Sequence, residues 1–456
     1  MKNLFGKSQN GKATEDKIEL LEQRVENLEV QLKKMDSDAR CIELEEQVDK
    51  INKSNKTKYI RQIMEKTGWD YNRAKNMVRT AYRDCGVSCK TYFLNEFYNI
   101  PREEQPEAYK KIVADKKRAK EEKREAKNER YLNMVIEATG WSREHAVKEI
   151  LAARERNGAS YEHYAVYGFW DLSEKEQDTY FTKGDARKLS KLYNTNKKLI
   201  RIFMDKDLFL KNFDQFIGRP WIATDEMEYD TFKQKFASEK KIIYKPISSS
   251  GGKGIEVFEL NKDNRKAVFS QLKEYPRGII EGFVNQHPMM KKLSVNSVNT
   301  IRVVTVQTYD DIPGVEKGKV HFLYAGIRMG CGDSYVDNLH SGGMMANVDI
   351  DTGVVVTPAV DFNRNSYTHH PETGEKILGF KVPYFDEIKK LIVSAYGSLP
   401  GYYGWDIAIT ENGPIVIEVN TAPGAVCLQS PFVPEKKGMR HVIAKFLGEG
   451  AERKSK

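Results

Sequence analysis

Apolar and polar residues alternate in two runs near the C-terminus, on either side of a short polar turn. The apolar positions of the two runs are Trp405, Ile407, Ile409, Ile415, Ile417 and Val419. Because successive side chains of a strand point to opposite faces, the alternation predicts a hairpin with one buried face. We predict a three-residue loop from Glu411 to Gly413, with Gly413 in the left-handed conformation, because this loop places all six apolar residues together. The same register pairs Asp406 with Glu418.

The polar face of this hairpin carries three oxygen-bearing side chains, Asp406, Glu418 and Asn420. Glu418 and Asn420 share a face because they are two residues apart. Three oxygen donors on a rigid platform suit a magnesium ion held against phosphates. An ordinary amphipathic hairpin with a hydrated acidic face accounts for these residues equally well.

Two β-rich runs between residues 242 and 258 are joined by a loop dense in serine and glycine, IIYKPISSSGGKGIEVF. Glycine lets backbone amides approach a phosphate closely, and Lys245 adds a positive charge at the end of the first run. The loop lacks the P-loop spacing, and a strand follows it where a dinucleotide fingerprint requires a helix. A surface hairpin is the alternative, but the acidic cluster downstream favours a cover over phosphates.

Apolar residues in the N-terminal region follow a seven-residue repeat, with glutamate and lysine between them. The two sets of heptad positions are Ile18, Val25 and Leu32, and Leu21, Leu28 and Met35. This spacing predicts three coiled-coil heptads. The pattern slips at Ala39, and Leu44, Val48 and Ile51 resume it out of phase. Such a segment either self-associates through residues 18–51 or lies on the domain as a single amphipathic helix.

Residues 57–183 repeat themselves without a gap at an offset of 72. The recurring residues of the first unit are Tyr59, Thr67, Gly68, Trp69, Ala74, Ala81, Gly86, Tyr92 and Phe97. Their counterparts in the second are Tyr131, Thr139, Gly140, Trp141, Ala146, Ala153, Gly158, Tyr164 and Phe169. Duplication is the simplest interpretation, and each unit is predicted to be a helical adaptor in which Asp70 or Ser142 begins the second helix. Tryptophans matched in this way are typical of a core, so no catalytic role is assigned to them.

A charged segment at residues 115–130, DKKRAKEEKREAKNER, joins the two units. It has no apolar stripe and mixes both signs of charge, which indicates a solvated helix rather than an arm that binds nucleic acid. The formal net charge of +9 leaves room for an anionic partner such as a polymer, a nucleotide sugar or a membrane surface. It does not choose among them.

Composition places the chain among globular proteins. Its 456 residues, 40% hydrophobic and 11% aromatic, can bury a core of two or more subdomains. No apolar run approaches the ~18 residues needed to cross a membrane, and residues 1–12 lack the apolar stretch of a signal peptide. Five cysteines form no disulfide framework, which fits a reducing cytoplasm. The pair His369 and His370 has no third ligand at a useful spacing for a metal, so we interpret it as loop.

Six segments from about Lys206 to Gln429, about half of the chain, occur in a fixed order. They are MDKDLFLKNFDQFIGRPWI, YKPISSSGGKGI, IIEGFVNQHP, SVNSVNTIRVVTV, YVDNLHSGGMMANVDIDTG and GWDIAITENGPIVIEVNTAPG. Together they resemble the ATP-grasp superfamily and, within it, the sugar-transfer-associated ATP-grasp group. The resemblance implies an α+β fold in which two α+β subdomains grip ATP, preceded here by the coiled coil and the duplicated helical repeats. The implied divisions are 1–56 for the tail and coiled coil, 57–128 and 129–190 for the repeats, 191–448 for the ATP-grasp domain, and 449–456 for a charged tail.

The resemblance also implies which residues bind the nucleotide. They are Lys206, Lys245, Ser249, Ser250, Gly251, Gly252, Gly254, Glu281, Phe283, Val284 and His287. The two lysines hold the phosphates under the loop at 248–254. Glu281 reads adenine together with the backbone of Phe283 and Val284. Gln286 or His287 stands near the ribose, although a polar residue that begins a helix shows the same pattern.

Catalytic, metal and substrate residues follow from the same resemblance. Arg302 and Lys245 are the catalytic pair, with Arg302 facing the transferred phosphoryl group or the acyl-phosphate, unless it forks onto a carboxylate to pin a strand. The magnesium ligands are Asp406, Glu418 and Asn420. The substrate contacts are Asn299, Asp337, Asn338 and Ser341. The last three lie in a loop at 337–343 that is equally consistent with a solvated hairpin tip.

The implied function is that of a cytoplasmic carboxylate–amine ligase that depends on ATP and Mg²⁺. ATP activates a carboxylate as an acyl-phosphate, and an amine then displaces phosphate to form an amide. The substrates are a small-molecule acid and amine, connected to sugars or surface polymers only through the name of the group. Two alternatives stay open: an ATP-grasp kinase that phosphorylates a hydroxyl, and a non-catalytic scaffold that works through its coiled coil and helical repeats.

Overall fold

The computed structural model describes the backbone of residues 9–247, 254–294, 296–332, 342–397, 399–424, 426–429 and 436–448. Side chains are described over the same ranges except at 9–24, 26, 51, 427 and 428. The chain divides into two compact units, one of residues 1–42 with 153–456 and one of residues 43–152. The domain limits predicted from the sequence fall elsewhere and stay predictions.

The N-terminal region is helical from residue 9 onward. Its helices are α1 Gln9–Thr67, α2 Tyr71–Cys85, α3 Cys89–Leu94, α4 Gln105–Thr139, α5 Arg143–Asn157, α6 Tyr161–Tyr167, α7 Glu174–Asp178, α8 Lys183–Tyr193 and α9 Lys197–Met204. Among the helices that the structure describes, none is long and apolar enough to cross a membrane.

The unit of residues 43–152 has an apolar core of its own. The buried members of this core are Ile60, Ile63, Ala74, Val78, Ala81, Val87, Tyr92 and Phe97. Trp69 is partly buried and packs against them. Helix α2 begins at the cap Asp70, which accepts a hydrogen bond from the Arg73 N–H, and ends at Gly86 with φ +77°. Glycine adopts this left-handed conformation at little cost, so the helix ends there.

Local contacts recur at the offset of 72. The Thr67 hydroxyl donates to the carbonyl of Ile63 at 2.7 Å, and the Thr139 hydroxyl donates to that of Val135 at 2.7 Å. A glutamine donates from Nε2 to two carbonyls in each unit, at 2.9 to 3.1 Å. These carbonyls belong to Phe97 and Ile100 for Gln105, and to Phe169 and Leu172 for Gln177. The two units differ after the glutamine, since α4 continues to Thr139 whereas α7 ends at Asp178. Duplication stays a prediction.

A four-stranded antiparallel sheet follows the helical region. Its strands are β1 Trp221–Ala223, β2 Lys241–Pro246, β3 Glu256–Glu259 and β4 Gly278–Gly282, in the order β1-β4-β2-β3. The helices around it are α10 Lys206–Ile217, α11 Tyr229–Lys235 and α12 Arg265–Lys273. Phe232 and Phe236 of the α11 region and Leu272 of α12 form a buried cluster with Ile242 and Ile280 of the sheet. This apolar face therefore holds β2 and β4, which carry polar side chains at the site.

A seven-stranded antiparallel sheet forms the rest of the C-terminal region. Its strands are β5 Thr300–Gln307, β6 His321–Met329, β7 Met344–Val348, β8 Ala359–Asp361, β9 Ser366–Tyr367, β10 Gly401–Thr410 and β11 Gly413–Asn420. They are ordered β11-β10-β5-β6-β7-β8-β9. The remaining helices are α13 Pro288–Lys291, α14 Phe385–Tyr396, α15 Val426–Gln429 and α16 Arg440–Ile443.

The hairpin of β10 and β11 contains the predicted pair of Asp406 and Glu418, but its turn is shorter than predicted. Asp406 lies opposite Glu418, as predicted, but Thr410 already pairs with Gly413. The turn therefore consists of two residues, 411–412, and the predicted three-residue loop is wrong. Gly413 has a positive φ of +114°, within the left-handed region predicted for it, so this part of the prediction is confirmed.

A bulge in β11 adds one residue to that strand and so brings Glu418 opposite Asp406 despite the shorter turn. The pairing shifts between Asp406 and Ile407, and Ile407 lies opposite Val416. Ile417 is the extra residue of the bulged strand. The apolar face changes as a result, because Val416 is buried whereas Ile415 and Ile417 are partly exposed. The predicted grouping of all six apolar side chains on the buried face is wrong for these two isoleucines.

Candidate functional site

The candidate site is built on β10, which pairs with β11 on one side and with β5 on the other. Asp406 lies opposite Glu418 of β11 and opposite Arg302 of β5. Its neighbours Trp405 and Ile407 are fully buried. Because a slip of one residue would turn these apolar side chains to the other face, the core fixes the position of the Asp406 carboxylate.

Two arginines bind the Asp406 carboxylate. Arg302 donates from Nε to Oδ1 and from Nη2 to Oδ2, the latter at 2.8 Å, and Arg328 of β6 donates from Nη1 to Oδ2 at 2.9 Å. Burial alone would raise the pKa of Asp406, but the charges of Arg302 and Arg328 hold it well below its usual range. Burial alone would lower the pKa of Arg302, and Asp406 raises it. Arg302 thus makes the strand-pinning fork that the sequence left open as an alternative to contact with a phosphoryl group.

Glu418 and Asn420 stand beside Asp406 on β11. The Asn420 Nδ2 atom lies 3.2 Å from Glu418 Oε1 and 3.4 Å from Asp406 Oδ2. Loss of hydration and the negative charge of Asp406 raise the pKa of Glu418. The three side chains predicted to bind magnesium are therefore brought together.

These three side chains fit a magnesium ion. They offer carboxylate and amide oxygens, which are the donors that Mg²⁺ prefers. The raised pKa of Glu418 reflects in part its repulsion from Asp406, and a divalent cation between the two carboxylates would relieve that repulsion. Rotation of the Asn420 amide by half a turn would present its oxygen to such a cation.

A second charged cluster is centred on Glu281 in β4, where the side chain is buried. Its Oε2 atom accepts from Arg219 Nε at 2.6 Å and from Lys245 Nζ at 2.9 Å. Burial alone would raise the pKa of Glu281, but Arg219 and Lys245 lower it to about 2. Both partners reach Glu281 because β4 lies between β1, which Arg219 precedes, and β2, which carries Lys245. Two predicted nucleotide residues, Lys245 and Glu281, are thus in direct contact.

Lys206 experiences the charges of residues in both clusters. It begins α10 and donates from Nζ to the carbonyl of Pro246, at the end of β2, at 2.7 Å. Burial and the charge of Lys245 lower the pKa of Lys206, and the charges of Glu418 and Glu281 oppose this shift. Lys206 therefore lies within electrostatic range of the second predicted lysine and of a predicted metal ligand.

Several predicted contacts lie outside the described residues. They are Ser249, Ser250, Gly251 and Gly252 of the nucleotide loop, and Asp337, Asn338 and Ser341 of the substrate loop. Gly254 is described, with φ +71°. A Cβ atom on Gly254 would lie 3.1 Å from the Pro246 side chain, so both the backbone and the available space favour glycine at this position.

Asn299, predicted to contact substrate, is fully buried and bonded to Gln286. Gln286 Oε1 accepts from the Asn299 backbone N–H at 2.7 Å and from its Nδ2 at 3.2 Å. Gln286 Nε2 donates to the carbonyl of Ser297 at 2.6 Å. These bonds anchor the start of β5. The substrate role of Asn299 stays a prediction.

His287 begins the short helix α13. Its Nδ1 accepts from the Met289 N–H at 3.2 Å, and its own backbone N–H donates to the carbonyl of Ile409 at 2.8 Å. This is the helix-start arrangement that the sequence gave as the alternative to a ribose contact. Phe283 and Val284 follow β4 directly, and the Phe283 N–H donates to the carbonyl of Lys241 at 3.1 Å. The predicted adenine hinge is thus tied to β2.

Two arginines of the site, Arg219 and Arg328, are missing from the sequence-based prediction. Arg328 is the charged member of a strand that reads HFLYAGIRM, and a single arginine in a buried strand signals a buried acidic partner. Arg219 gives no such signal, because it precedes β1 in a short connection. It also donates from Nη1 to the carbonyl of Val416 at 3.1 Å, which links the smaller sheet to β11.

Cys331, His370 and Glu372 also place three ligand atoms within 4.8 Å of one another. The interpretation of His370 as a loop residue with no third ligand missed these neighbours, because Cys331 is distant in the sequence. His370 Nε2 lies 3.0 Å from the carbonyl of Gly330, and its Nδ1 accepts from the Glu372 N–H at 3.4 Å. Both ring nitrogens are engaged, and we assign no metal to the cluster.

A family model described as sugar-transfer associated ATP-grasp matches residues 186–446, more than half of the chain. The chain belongs to the sugar-transfer-associated ATP-grasp family. The clusters around Asp406 and Glu281 both lie within the matched residues of this ATP-grasp protein. No curated protein matches the chain.

Solved structures give distant likenesses to this ATP-grasp protein. N5-carboxyaminoimidazole synthetase from Staphylococcus aureus in complex with ADP is 11% identical with a TM-score of 0.31, over 50% of this chain and 47% of that one. L-amino acid ligase from Bacillus licheniformis is 13% identical with a TM-score of 0.30, over 50% and 43%. D-alanine-D-alanine ligase from Coxiella burnetii is 11% identical with a TM-score of 0.31, over 54% and 56%. The chain spans about half the length of each, and likenesses of this size carry no argument about its reaction.

Proposed function

We propose that the chain is a ligase that depends on Mg²⁺ and ATP and joins a carboxylate to an amine through an acyl-phosphate, on small molecules related to sugars or surface polymers. The proposal rests on two groups of side chains, oxygen donors and lysines, that lie close together in a member of the ATP-grasp family. Three oxygen donors, Asp406, Glu418 and Asn420, converge on one place. Lys206 and Lys245 lie close enough for Lys206 to experience the charges of both Lys245 and Glu418.

Asp406, Glu418 and Asn420 would hold the magnesium ion. Bound Mg²⁺ supplies electrostatic stabilisation of the terminal phosphates of ATP. The charged side chains at this place are balanced, since Arg302 and Arg328 carry two positive charges and the two carboxylates carry two negative ones. Because these four charges cancel, the positive charge of a bound Mg²⁺ ion would remain to attract the phosphates.

Lys206 and Lys245 would bind those phosphates. Lys245 shares the Glu281 carboxylate with Arg219, so its ammonium is held in place on β2 before the nucleotide arrives. The pKa of Lys206 is lowered by burial and by Lys245, and an anionic phosphate between the two lysines would stabilise both charges. Charges positioned in advance lower the barrier to phosphoryl transfer without covalent chemistry by the protein.

The proposed reaction has two steps. A carboxylate oxygen of the acid attacks the γ-phosphorus of ATP, the bond to the bridging oxygen breaks, and ADP leaves. The amine nitrogen then attacks the acyl carbon, the carbon–oxygen bond to phosphate breaks, and the nitrogen loses a proton as the amide forms. Arg302 and Lys245 are the proposed catalytic residues: the Lys245 ammonium would offset charge on the transferred group, and Arg302 would hold Asp406 beside it.

Further assignments are proposed with this function. The nucleotide is expected to contact Ser249, Ser250, Gly251, Gly252, Gly254, Glu281, Phe283, Val284 and His287. The substrate is expected to contact Asn299, Asp337, Asn338 and Ser341. We also propose a cytoplasmic location, the five divisions of the chain given by the sequence, and self-association through residues 18–51.

Release of inorganic phosphate tests the ligase proposal. With Mg²⁺, ATP and panels of carboxylates and amines, phosphate should appear only when an acid and an amine are both present. Glu418→Gln removes one proposed metal ligand charge and should lower the rate by about 100-fold or more. Glu411→Gln is the matched control, because Glu411 is exposed in the turn of the same hairpin and should leave the rate unchanged.

Other outcomes separate the alternatives. A stable phosphorylated product that forms without an amine would replace the ligase with a kinase. Equal rates for Glu418→Gln and the unaltered protein would remove the metal assignment. Full function of Glu418→Gln in a cell, with no ATP turnover in vitro, would favour the scaffold.

A further inference from the structure

Up to Ile42, one face of helix α1 packs on residues 153–456 of its own compact unit, which are called the catalytic unit below. Ser37 is buried, and Val30 and Cys41 are partly buried. Arg40 lies against Gly397. Burial, followed by the charges of Asp36, Cys41 and Asp38, raises the pKa of Tyr309. The amphipathic-helix alternative of the sequence therefore describes part of this helix.

A second face of α1 carries large apolar side chains that are exposed. Its members are Val25, Leu28, Leu32, Met35 and Ile42, each more than half exposed. The first four occupy heptad positions given by the sequence. Ile42 follows Met35 by seven residues, so the exposed stripe continues past Ala39, where the sequence pattern slips.

The two faces are opposite each other on the helix. If Val25 and Leu32 are a positions and Leu28 is a d position, then Val30 and Ser37 are both f positions. The f position of a heptad lies on the side away from a and d. The catalytic unit therefore occupies the outer side of the helix and leaves the coiled-coil seam uncovered by the described residues around it.

The residues at heptad positions a and d form the seam of a coiled coil, and their types indicate how many helices associate. In the first two heptads Ile18 and Val25 are β-branched residues at a and Leu21 and Leu28 stand at d, while the third heptad has Leu32 at a and Met35 at d. The combination in the first two heptads favours two parallel strands over three or four. A second copy of the same helix supplies an identical seam.

The flanking charges indicate the direction of the second helix. The e positions are Glu22, Glu29 and Asp36, and the g positions are Lys17, Arg24 and Gln31. In a parallel pair each g residue meets the e residue five positions later on the other helix, which places Lys17 by Glu22 and Arg24 by Glu29. In an antiparallel pair the e positions face one another, and acidic residues would meet acidic residues. The next parallel pair, Asp38 with Glu43, is like-charged, so the complementary stretch ends at Asp36.

We propose that two copies of this chain associate through a parallel two-stranded coiled coil over residues 17–36, each with its catalytic unit seated on the outer face of its own helix. The partner is a second copy because one helix provides both halves of the apolar seam and both halves of the charge pairs. The proposal concerns a surface apart from the catalytic site. Its test measures mass, so its failure leaves the ligase proposal untouched.

Light scattering during size-exclusion chromatography gives the first test. The unaltered chain should approach twice its mass of 52.4 kDa as its concentration rises. Leu28→Asp should shift the midpoint of dimerisation to at least about 100-fold higher concentration, because it buries a charge in the seam. Leu94→Asp is the matched control, since Leu94 is 59% exposed and Leu28 is 57% exposed, and it should leave the midpoint unchanged. Circular dichroism and Mg²⁺-ATP binding check that both variants stay folded.

A charge exchange tests the direction. Arg24→Glu should weaken the dimer, because it places glutamate opposite Glu29 of the second copy. Adding Glu29→Arg should restore it, because the parallel pair is rebuilt with its charges reversed. Antiparallel helices would gain no such rescue, since arginine would then face arginine.

Three results would overturn the proposal. A monomer at every concentration would show that the seam holds no second copy. A dimer unaffected by Leu28→Asp would locate the interface elsewhere. Failure of the double exchange to restore the dimer would exclude the parallel register.

Discussion

At the residue scale, the charge balance around Asp406 is the feature that organises the site. Three oxygen donors could be predicted from the alternation of the hairpin, because strand periodicity alone places Glu418 and Asn420 on one face. The partner of Arg328 could not be predicted, because its contact with Asp406 depends on the order of the strands β10, β5 and β6. The sequence predicts two alternative partners for Arg302, a carboxylate and a phosphoryl group. Sequence patterns do not distinguish them, because an arginine binds both in the same way.

Loss of Arg328 should destabilise the folded protein more than loss of a surface cation. Arg328→Gln leaves the buried Asp406 carboxylate with one arginine, and removing one partner of a buried pair costs about 3–5 kcal/mol. Lys319→Gln is the control, since Lys319 pairs with Glu316 in solvent and its loss should cost less than about 1 kcal/mol. Urea denaturation measures both. Equal losses in the two variants would mean that Asp406 does not depend on Arg328.

Glu281 should make stability depend on pH in the acid range. Its pKa is lowered from 4.5 to about 2, so the ionised carboxylate stabilises the folded state above about pH 4.5 and this contribution is lost as the pH falls toward 2. The loss from this group should be about 3 kcal/mol. Glu281→Gln should start less stable at neutral pH and lose correspondingly less over the same window, as measured by urea denaturation at several pH values. Parallel stability curves for the two proteins would contradict the ion-pair assignment.

At the element scale, the bulge in β11 shows how a correct pairing can follow from an incorrect loop. The alternation of apolar residues predicts that Asp406 lies opposite Glu418. The structure makes this pair through a bulge in β11 and not through a three-residue turn. Turn length and bulge position are interchangeable ways of adding one residue to a register. The sequence therefore predicts the pairs beyond the bulge, including Asp406 with Glu418, but not the pairs between the bulge and the turn.

Deletion of Ile417 should remove the bulge without disturbing the turn or the metal-binding side chains. The pairing is regular from the turn to Ile407 and Val416, and without Ile417 the next residue opposite Asp406 is again Glu418. The deletion variant should therefore keep the rise in thermal unfolding midpoint expected from Mg²⁺-ATP, because ligand binding to the native state produces that rise. Deletion of Val419 is the contrasting change, because it moves Asn420 to the other face of β11 and should reduce the rise. Loss of the rise in the Ile417 deletion would show that the bulge itself positions Glu418.

At the scale of the whole molecule, the sequence predicts the order of the parts better than their limits. The six motifs and the family follow from local patterns, and local contacts of the two helical repeats recur at the offset seen in the sequence. The compact units nevertheless divide within helices, at Ile42 and at Ala153. Long-range bonds explain the second division, since Gln429 accepts from the Phe181 N–H at 2.7 Å and Asn194 donates to the carbonyl of Tyr402 at 3.1 Å. Such partners are far apart in the chain and leave no local pattern.

The opposed faces of α1 have a consequence for how this protein can diverge. Substitutions at Leu28 or Met35 change side chains that are more than half exposed, whereas substitutions at Ser37 change a side chain buried against the rest of the unit. Under the proposed pairing, a variant could therefore change its partner while keeping the same chemistry, or change the seating of the helix while keeping the same partner. The proposed pairing would let substitutions accumulate independently on the two faces of one helix.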